Sequence, residues 1–277
     1  MKFIGSLKKI DNAKIVMFGA PFDSTASYRP GARFAPEEIC KNSYSIETYS
    51  PYLDLDLEFD AKFYDDGALE LPFGNSNLAL NLIEQKTAEI ISAHKTPLML
   101  GGEHLVTLGA IRAAAKKYND LHIVHLDAHA DLRDDYLGAK LSHATVIRRV
   151  WEIVGDEKIY QMGIRSGDKS EFEFAKNHTN LHKFNLDFTD EICKNLADKP
   201  VYLTVDLDVL DPSNLPGTGT PEAGGVTFEE LRLSLAKILK LNIVGLDLVE
   251  LAPNLDPSGA STSLVIKLIR EIILQIA

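Results

Sequence analysis

Cysteine is almost missing from this chain: Cys40 and Cys193 stand alone, in no Cys-x-x-Cys spacing. That excludes a disulfide scaffold and a thiolate-held metal, and it fits a reducing compartment, here expected to be the cytoplasm. Long apolar runs are missing too. The closing stretch, Leu264 to Ala277, carries Lys267, Arg270 and Glu271 and is too short to span a bilayer, so it reads as a packed terminal helix. Met1 to Ala13 has no continuous apolar core, so neither a signal peptide nor a membrane partner is expected. Basic residues are outnumbered, 29 against 40 acidic, for a net charge of -11. That balance argues against a nucleic-acid or anionic-membrane partner and is compatible with a small cationic substrate. No Ser/Gly/Pro linker, repeat or low-complexity segment interrupts the chain, and residues 1–277 are expected to form one domain.

What is present is concentrated at a few strand ends. The apolar stretch Leu121 to Leu126 runs directly into Asp127, His129 and Asp131. If the backbone stays extended, that period-2 spacing puts all three on one side of the chain. An acid-rich surface loop gives such a triplet by accident, but carboxylate and imidazole together suit divalent first-row ions. Val201 to Val205 is a second apolar strand, ending in Asp206-Leu-Asp208 with Asp211-Pro212 beyond. Two carboxylates half-buried on one face repel, and without a cation one of them must take up a proton. Few basic residues flank these motifs, which leaves metal ions as the source of positive charge.

Taken in order, Lys14 to Gly19 is of strand type, and Pro36 opens a helix with Glu37 and Glu38 in its first turn. Arg29 and Arg33 belong to a Pro/Gly-rich segment that reads as a surface turn. A strand is expected over Ala61 to Asp65, while Tyr49 to Phe59 has no assignable pattern. A helix from about Asn77 to His94, capped by Asn75 or Ser76, follows Leu78, Leu82, Ile83, Lys86 and Ile90. Leu98 to Leu100 is a strand ending in Gly101-Gly102-Glu103-His104, which places His104 at a helix start. Further on, a helix opens at Ser142-His143, and strands are expected over Lys158 to Met162 and His182 to Leu186. Thr227 and Glu230 form a capping box, and Asn242 to Val249 is a last strand before Glu250. Strands apolar on both faces, alternating with helices, predict an α/β fold: a mostly parallel sheet of about eight strands covered by helices on both sides. Ligands of such sheets lie beyond the carboxyl ends of the strands, where these acids and histidines sit.

The motifs resemble those of the ureohydrolases, the arginase superfamily, and most closely its agmatinases. Gly101-Gly-Glu-His104, Asp127-Ala-His-Ala-Asp131, Asp206-Leu-Asp-Val-Leu-Asp-Pro212, Gly217-Thr-Gly-Thr-Pro221 and Asp247-Leu-Val-Glu-Leu-Ala-Pro253 are similar to that family's blocks, in its order. The resemblance implies a three-layer arginase-like domain with two Mn²⁺ per subunit. One ion would be held by His104, Asp127, Asp131 and Asp206, the other by Asp127, His129, Asp206 and Asp208. Ligand type alone also admits Zn²⁺, Fe²⁺ or Co²⁺. It further implies attack of a metal-bridging hydroxide on a guanidinium carbon. In that scheme Asp131 orients the hydroxide and moves its proton, Glu250 pairs with the guanidinium, His143 is a proton shuttle or substrate contact, and Thr220 lines the pocket. Agmatine hydrolysis to putrescine and urea, a polyamine-forming reaction, is the leading expectation, by a homo-oligomer (trimer or hexamer). Another amidinohydrolase, such as a guanidinobutyrase, guanidinopropionase or arginase, is the alternative, with Arg29 and Arg33 available for a substrate carboxylate. A two-metal phosphoesterase and a non-catalytic homologue are the more distant readings.

Overall fold

The computed structural model describes all of residues 1–277. Eight strands make one sheet: β1 (Ile15–Ala20), β4 (Phe63–Ala68), β5 (Thr96–Gly101), β6 (His122–Leu126), β7 (Ile159–Ile164), β8 (Asn180–Lys183), β9 (Pro200–Asp206) and β10 (Asn242–Val249). Two short strands, β2 (Tyr49–Ser50) and β3 (Leu55–Asp56), pair antiparallel outside it, in the stretch where the sequence has no assignable pattern. Every neighbouring pair in the large sheet is parallel, in the order β4-β1-β5-β10-β9-β6-β7-β8. The chain lays strands outward to one edge, crosses to build the other, and returns to insert β9 and β10 in the gap between β5 and β6. Four strands from distant parts of the sequence thereby become contiguous, and their carboxyl ends share one rim.

The central strands are buried on both faces, which is why they read as continuous apolar runs instead of alternating ones. On one side Met17, Leu98, Leu126 and Leu203 pack under α1 (Ala35–Asn42), α6 (Thr189–Asn195), α7 (Phe228–Ile238) and α8 (Ala260–Ile276). On the other, Phe18, Met99, Ile123 and Tyr202 pack under α2 (Ser76–Ser92), α3 (Thr107–Lys117), α4 (Val146–Val154) and α5 (Lys169–His178). This is the expected three-layer α/β/α arrangement. The Thr227 capping box is present at the start of α7, with Glu230 N–H donating to Thr227 Oγ1 at 3.3 Å and Thr227 N–H to Glu230 Oε2 at 2.7 Å. Asn75 caps α2 by accepting from Leu78 N–H. The buried stripe of α2 runs through Ala79, Leu80, Ile83, Thr87 and Ile90, and Leu78 is exposed. Strand β8 ends at Lys183, short of the expected Leu186, because Phe184 turns into the left-handed region at φ 73°.

Helix α8 buries charge as well as apolar surface. The Arg270 guanidinium donates to Glu271 Oε1 through Nε and Nη2 at 2.9 and 2.7 Å, and through Nη1 to the Glu47 carbonyl, while Ser50 donates to Glu271 Oε2 at 2.5 Å. These bonds tie the β2–β3 excursion to the core. Glu271→Ala is expected to lose about 3–5 kcal/mol, because Arg270 is left buried without its partner. Replacing both by Met and Leu should recover most of that loss. Urea-unfolding midpoints of the two variants check both statements.

Candidate active site

Past its last strand residue, each of the four central strands carries an acid or histidine inward. The expected continuation of extended backbone from β6 to Asp131 is not what forms. The strand stops at Leu126, His129 bridges to Ser166, and Asp131 adopts a left-handed conformation at φ 52°. Glu250, just past β10, is left-handed too, at φ 67°. Non-glycine residues resist that region, and strain of this kind is concentrated where a side chain must be aimed.

The side chains gather in two groups. His104 Nδ1 lies 3.1 Å from Asp127 Oδ2, 3.3 Å from Asp131 Oδ2 and 3.2 Å from Asp206 Oδ2. His129 Nδ1 lies 3.0 Å from Asp208 Oδ2 and 3.5 Å from Asp127 Oδ1. Asp127 therefore gives one oxygen to each group. Asp206 gives Oδ2 to the first group, and its Oδ1 accepts the Asp208 backbone N–H at 2.9 Å. His104, His129, Asp131 and Asp206 line one cavity of about 330 Å³, whose walls also include Glu250, His143 and Thr220, while Asp127 and Asp208 lie behind them. Thr220 Oγ1 donates to Asp208 Oδ2 at 3.3 Å, and Glu250 Oε1 accepts the His104 backbone N–H at 2.7 Å.

A cation suits this cluster better than protons do. His104 is 1% exposed, and its Nδ1 has no regular hydrogen-bond partner although three carboxylate oxygens surround it. In the protein alone, burial and then Asp127 push the Asp131 carboxyl up to about 7, and burial with Asp208 and Asp127 drives Asp206 well above the carboxylate range. Burial would depress His104, but Asp127, Asp131 and Asp206 outweigh it and hold it well above the ordinary imidazole value. The cluster thus takes up protons that a divalent ion between oxygen and nitrogen donors would replace. Burial holds His143 down at about 4, so it is a neutral imidazole at neutral pH.

A polar layer lies one step below the cluster. His125 and Thr204 are register partners across β6 and β9, and His125 and Gln161 across β6 and β7. The Gln161 amide donates to the Ala130 carbonyl and faces His125 Nδ1 at 3.0 Å, so Nδ1 accepts and Nε2–H donates to Asp127 Oδ2 at 2.7 Å. His104 Nε2 is held by Thr204 Oγ1 at 3.0 Å. His125 extends the period-2 series of Asp127 and His129 backward into the strand, a signal the motif reading passed over.

Arg29 and Arg33 do not face the cavity. The first donates to the Thr218 and Gly219 carbonyls at 2.8 and 3.2 Å, and the second pairs with Asp23 at 3.1 Å, so neither is available for a substrate carboxylate. The cavity wall holds a different arginine. Arg133 is paired with Asp168 at 2.6 Å and with Glu171 at 3.4 Å, and Ser27, Tyr136 and Ser166 complete this side. Apart from Glu171 in the first turn of α5, these are loop residues without periodicity, and nothing in their spacing pointed to the site.

A family model described as the arginase family matches residues 13–275. The chain belongs to the arginase family. A curated agmatinase from Bacillus cereus is 49% identical over 98% of this chain and 95% of its own length. A guanidinobutyrase from Pseudomonas aeruginosa is 32% identical over 98% of this chain and 88% of its own length. The solved structure of an agmatine ureohydrolase from Thermoplasma volcanium superposes with a TM-score of 0.89 at 34% identity, covering 99% of this chain and 94% of that one. The arginase-family fold explains why β5, β6, β9 and β10 meet at the cavity. No helix here is long and apolar enough to cross a membrane.

Proposed function

We propose that this arginase-family chain is an agmatinase, a hydrolase that splits agmatine into putrescine and urea with two Mn²⁺ ions per subunit. Residues 1–277 act as one domain, in a cytoplasmic homo-oligomer. His104, Asp127, Asp131 and Asp206 would hold one ion, and Asp127, His129, Asp206 and Asp208 the other. The oxygen-rich donor set supports manganese over a thiophilic metal. When bound, the pair supplies the positive charge that lets the carboxylates stay ionised and makes water a competent nucleophile at neutral pH.

The chain's own residues do the rest. Glu250, oriented by the His104 N–H, pairs with the guanidinium and sets its carbon over the cluster. Asp131 accepts a proton as water attacks that carbon. It then delivers the proton to the amine nitrogen as the C–N bond breaks, leaving urea. His143, neutral and on the cavity wall, contacts the substrate and exchanges the proton with solvent. Thr220 holds Asp208 and lines the pocket.

One observation favours agmatine over ω-guanidino acids and arginine. The single guanidinium on the cavity wall, Arg133, is shared by two carboxylates, Asp168 and Glu171, so that side is net negative and suits the ammonium tail of agmatine. The similarity to a guanidinobutyrase keeps 4-guanidinobutyrate as the second reading. Urea release is measured with Mn²⁺ against agmatine, 4-guanidinobutyrate, 3-guanidinopropionate and arginine, with a phosphate ester alongside. Agmatine is expected to lead in kcat/KM by at least about a hundredfold, the discrimination of a charged group left without its partner. A lead for either acid would move the assignment within the family, and no urea from any guanidine would remove it.

A further inference from the structure

Glu103, inside the Gly-Gly-Glu-His segment, is a fully buried carboxyl group that takes no part in the chemistry above and does not line the cavity. Both of its oxygens are turned toward Thr25, in the loop after β1. The Thr25 N–H lies 2.9 Å from Oε2 and 3.2 Å from Oε1, and the Thr25 hydroxyl donates to Oε1 at 2.7 Å. With its one proton committed there, that hydroxyl has a lone pair free, and the backbone N–H of His143 donates to it at 3.1 Å. His143 opens the short helical turn before α4, so its N–H has no partner within that turn. Two residues further along the same loop, Ser27 Oγ lies 3.2 Å from His143 Nε2. The loop thus holds His143 at both ends, backbone and ring. The approach is close on the other side as well: a side chain at Gly102 would meet the Phe22 carbonyl at 1.9 Å.

We infer that Glu103 and Thr25 form a positioning pair that holds His143 against the cavity, with the Thr25 hydroxyl as the joint. Neighbouring residues of one segment then place two residues of the cavity wall. The His104 N–H fixes Glu250, and the Glu103 carboxyl group, through Thr25, fixes His143. The Glu103 and Thr25 side chains bond to each other and to the His143 N–H and to none of the cation-binding side chains, so changing Thr25 should disturb the placement of His143 and leave metal binding intact.

The inference rests on the role given to His143, and the experiment separates the two. Thr25→Val keeps the side-chain shape without the hydroxyl, Thr25→Ser keeps the hydroxyl, and Thr25→Ala is carried in case the valine crowds the loop. The manganese-loaded proteins are compared for kcat and KM on agmatine, for bound manganese, and for the rate at which diethyl pyrocarbonate labels His143, read by peptide mass spectrometry. Val and Ala are expected to lower kcat about tenfold, the scale of one hydrogen bond acting on a group's placement, with KM within about twofold. They should also label His143 several-fold faster, at unchanged manganese content. Ser should restore both to within about twofold of the parent. Unchanged labelling and kcat in Val and Ala would overturn the pair, and so would a loss that Ser shares in full or that follows loss of manganese. If the parent releases no urea from agmatine, the proposed activity fails, and the labelling rates alone decide the positioning pair.

Discussion

Asp206→Ala is expected to lose bound manganese and urea release together. Asp206 Oδ2 is one of the three carboxylate oxygens around His104 Nδ1, and its Oδ1 holds the backbone N–H of Asp208, whose own Oδ2 lies 3.0 Å from His129 Nδ1. Alanine therefore removes a donor from the first group and loosens the carboxylate of the second. Manganese per subunit, measured by elemental analysis after gel filtration, should fall from two to one or fewer. Activity should drop on the order of a thousandfold, the scale of losing a fixed charge at the reacting centre. The fold itself should tolerate the change. Without a cation the site holds several carboxylates in mutual repulsion, and burial with Asp208 and Asp127 already drives Asp206 upward, so its removal relieves the metal-free protein. Two equivalents of retained manganese would refute the role given to Asp206.

Glu250→Gln should separate substrate orientation from metal binding. Glutamine has nearly the same volume, and its amide oxygen can still accept the His104 N–H, so the left-handed backbone turn at residue 250 is retained. What disappears is the negative charge facing the guanidinium. Charge-assisted hydrogen bonds contribute about 1.5–3 kcal/mol each, so replacing a bidentate pair should lower kcat/KM by roughly a hundredfold or more. Manganese content should stay at the parental value. Steady-state kinetics on agmatine with parallel metal analysis decide the matter, and unchanged kinetics would take Glu250 out of the reaction.

The six acids and histidines were readable because each lies at or within a few residues of the end of an apolar strand. A strand buried on both faces holds a carboxylate only where a partner is built for it, as Tyr202 is for Asp247, so acids in these strands gather mostly at the tips. Period-2 spacing carried that reading through Asp127, His129 and Asp131, although the backbone leaves the extended form before Asp131 and the three divide between two groups. Strand order was less accessible. Parallel pairs form across long sequence separations, and nothing local in Pro200 to Val249 says that these strands enter the middle of the sheet. The role of Arg29 and Arg33 was open in the sequence for a related reason. An arginine in a turn can reach in many directions, and only the folded chain shows that Arg29 is bound to the carbonyls of the Thr218–Gly219 loop. Arg133, Asp168, Thr25 and Ser27 lie in irregular loops, where neither spacing nor composition distinguishes a cavity wall from a solvated bend.

The late insertion of β9 and β10 bears on how the molecule is made. In this strand order, β5 and β6 would each have a bare edge until residues 200 to 249 were synthesised, with the sheet in two unjoined halves. Exposed edges of this kind invite pairing with other nascent copies, and the contacts that close them are distant along the chain, as His122 with Val201 and Leu98 with Leu246 show. On the proposed ligand set, cation binding would wait on the same event, because the carboxylates at 206 and 208 arrive with the strands that complete the sheet. Ion capture and closure of the sheet would then be a single late stage of maturation.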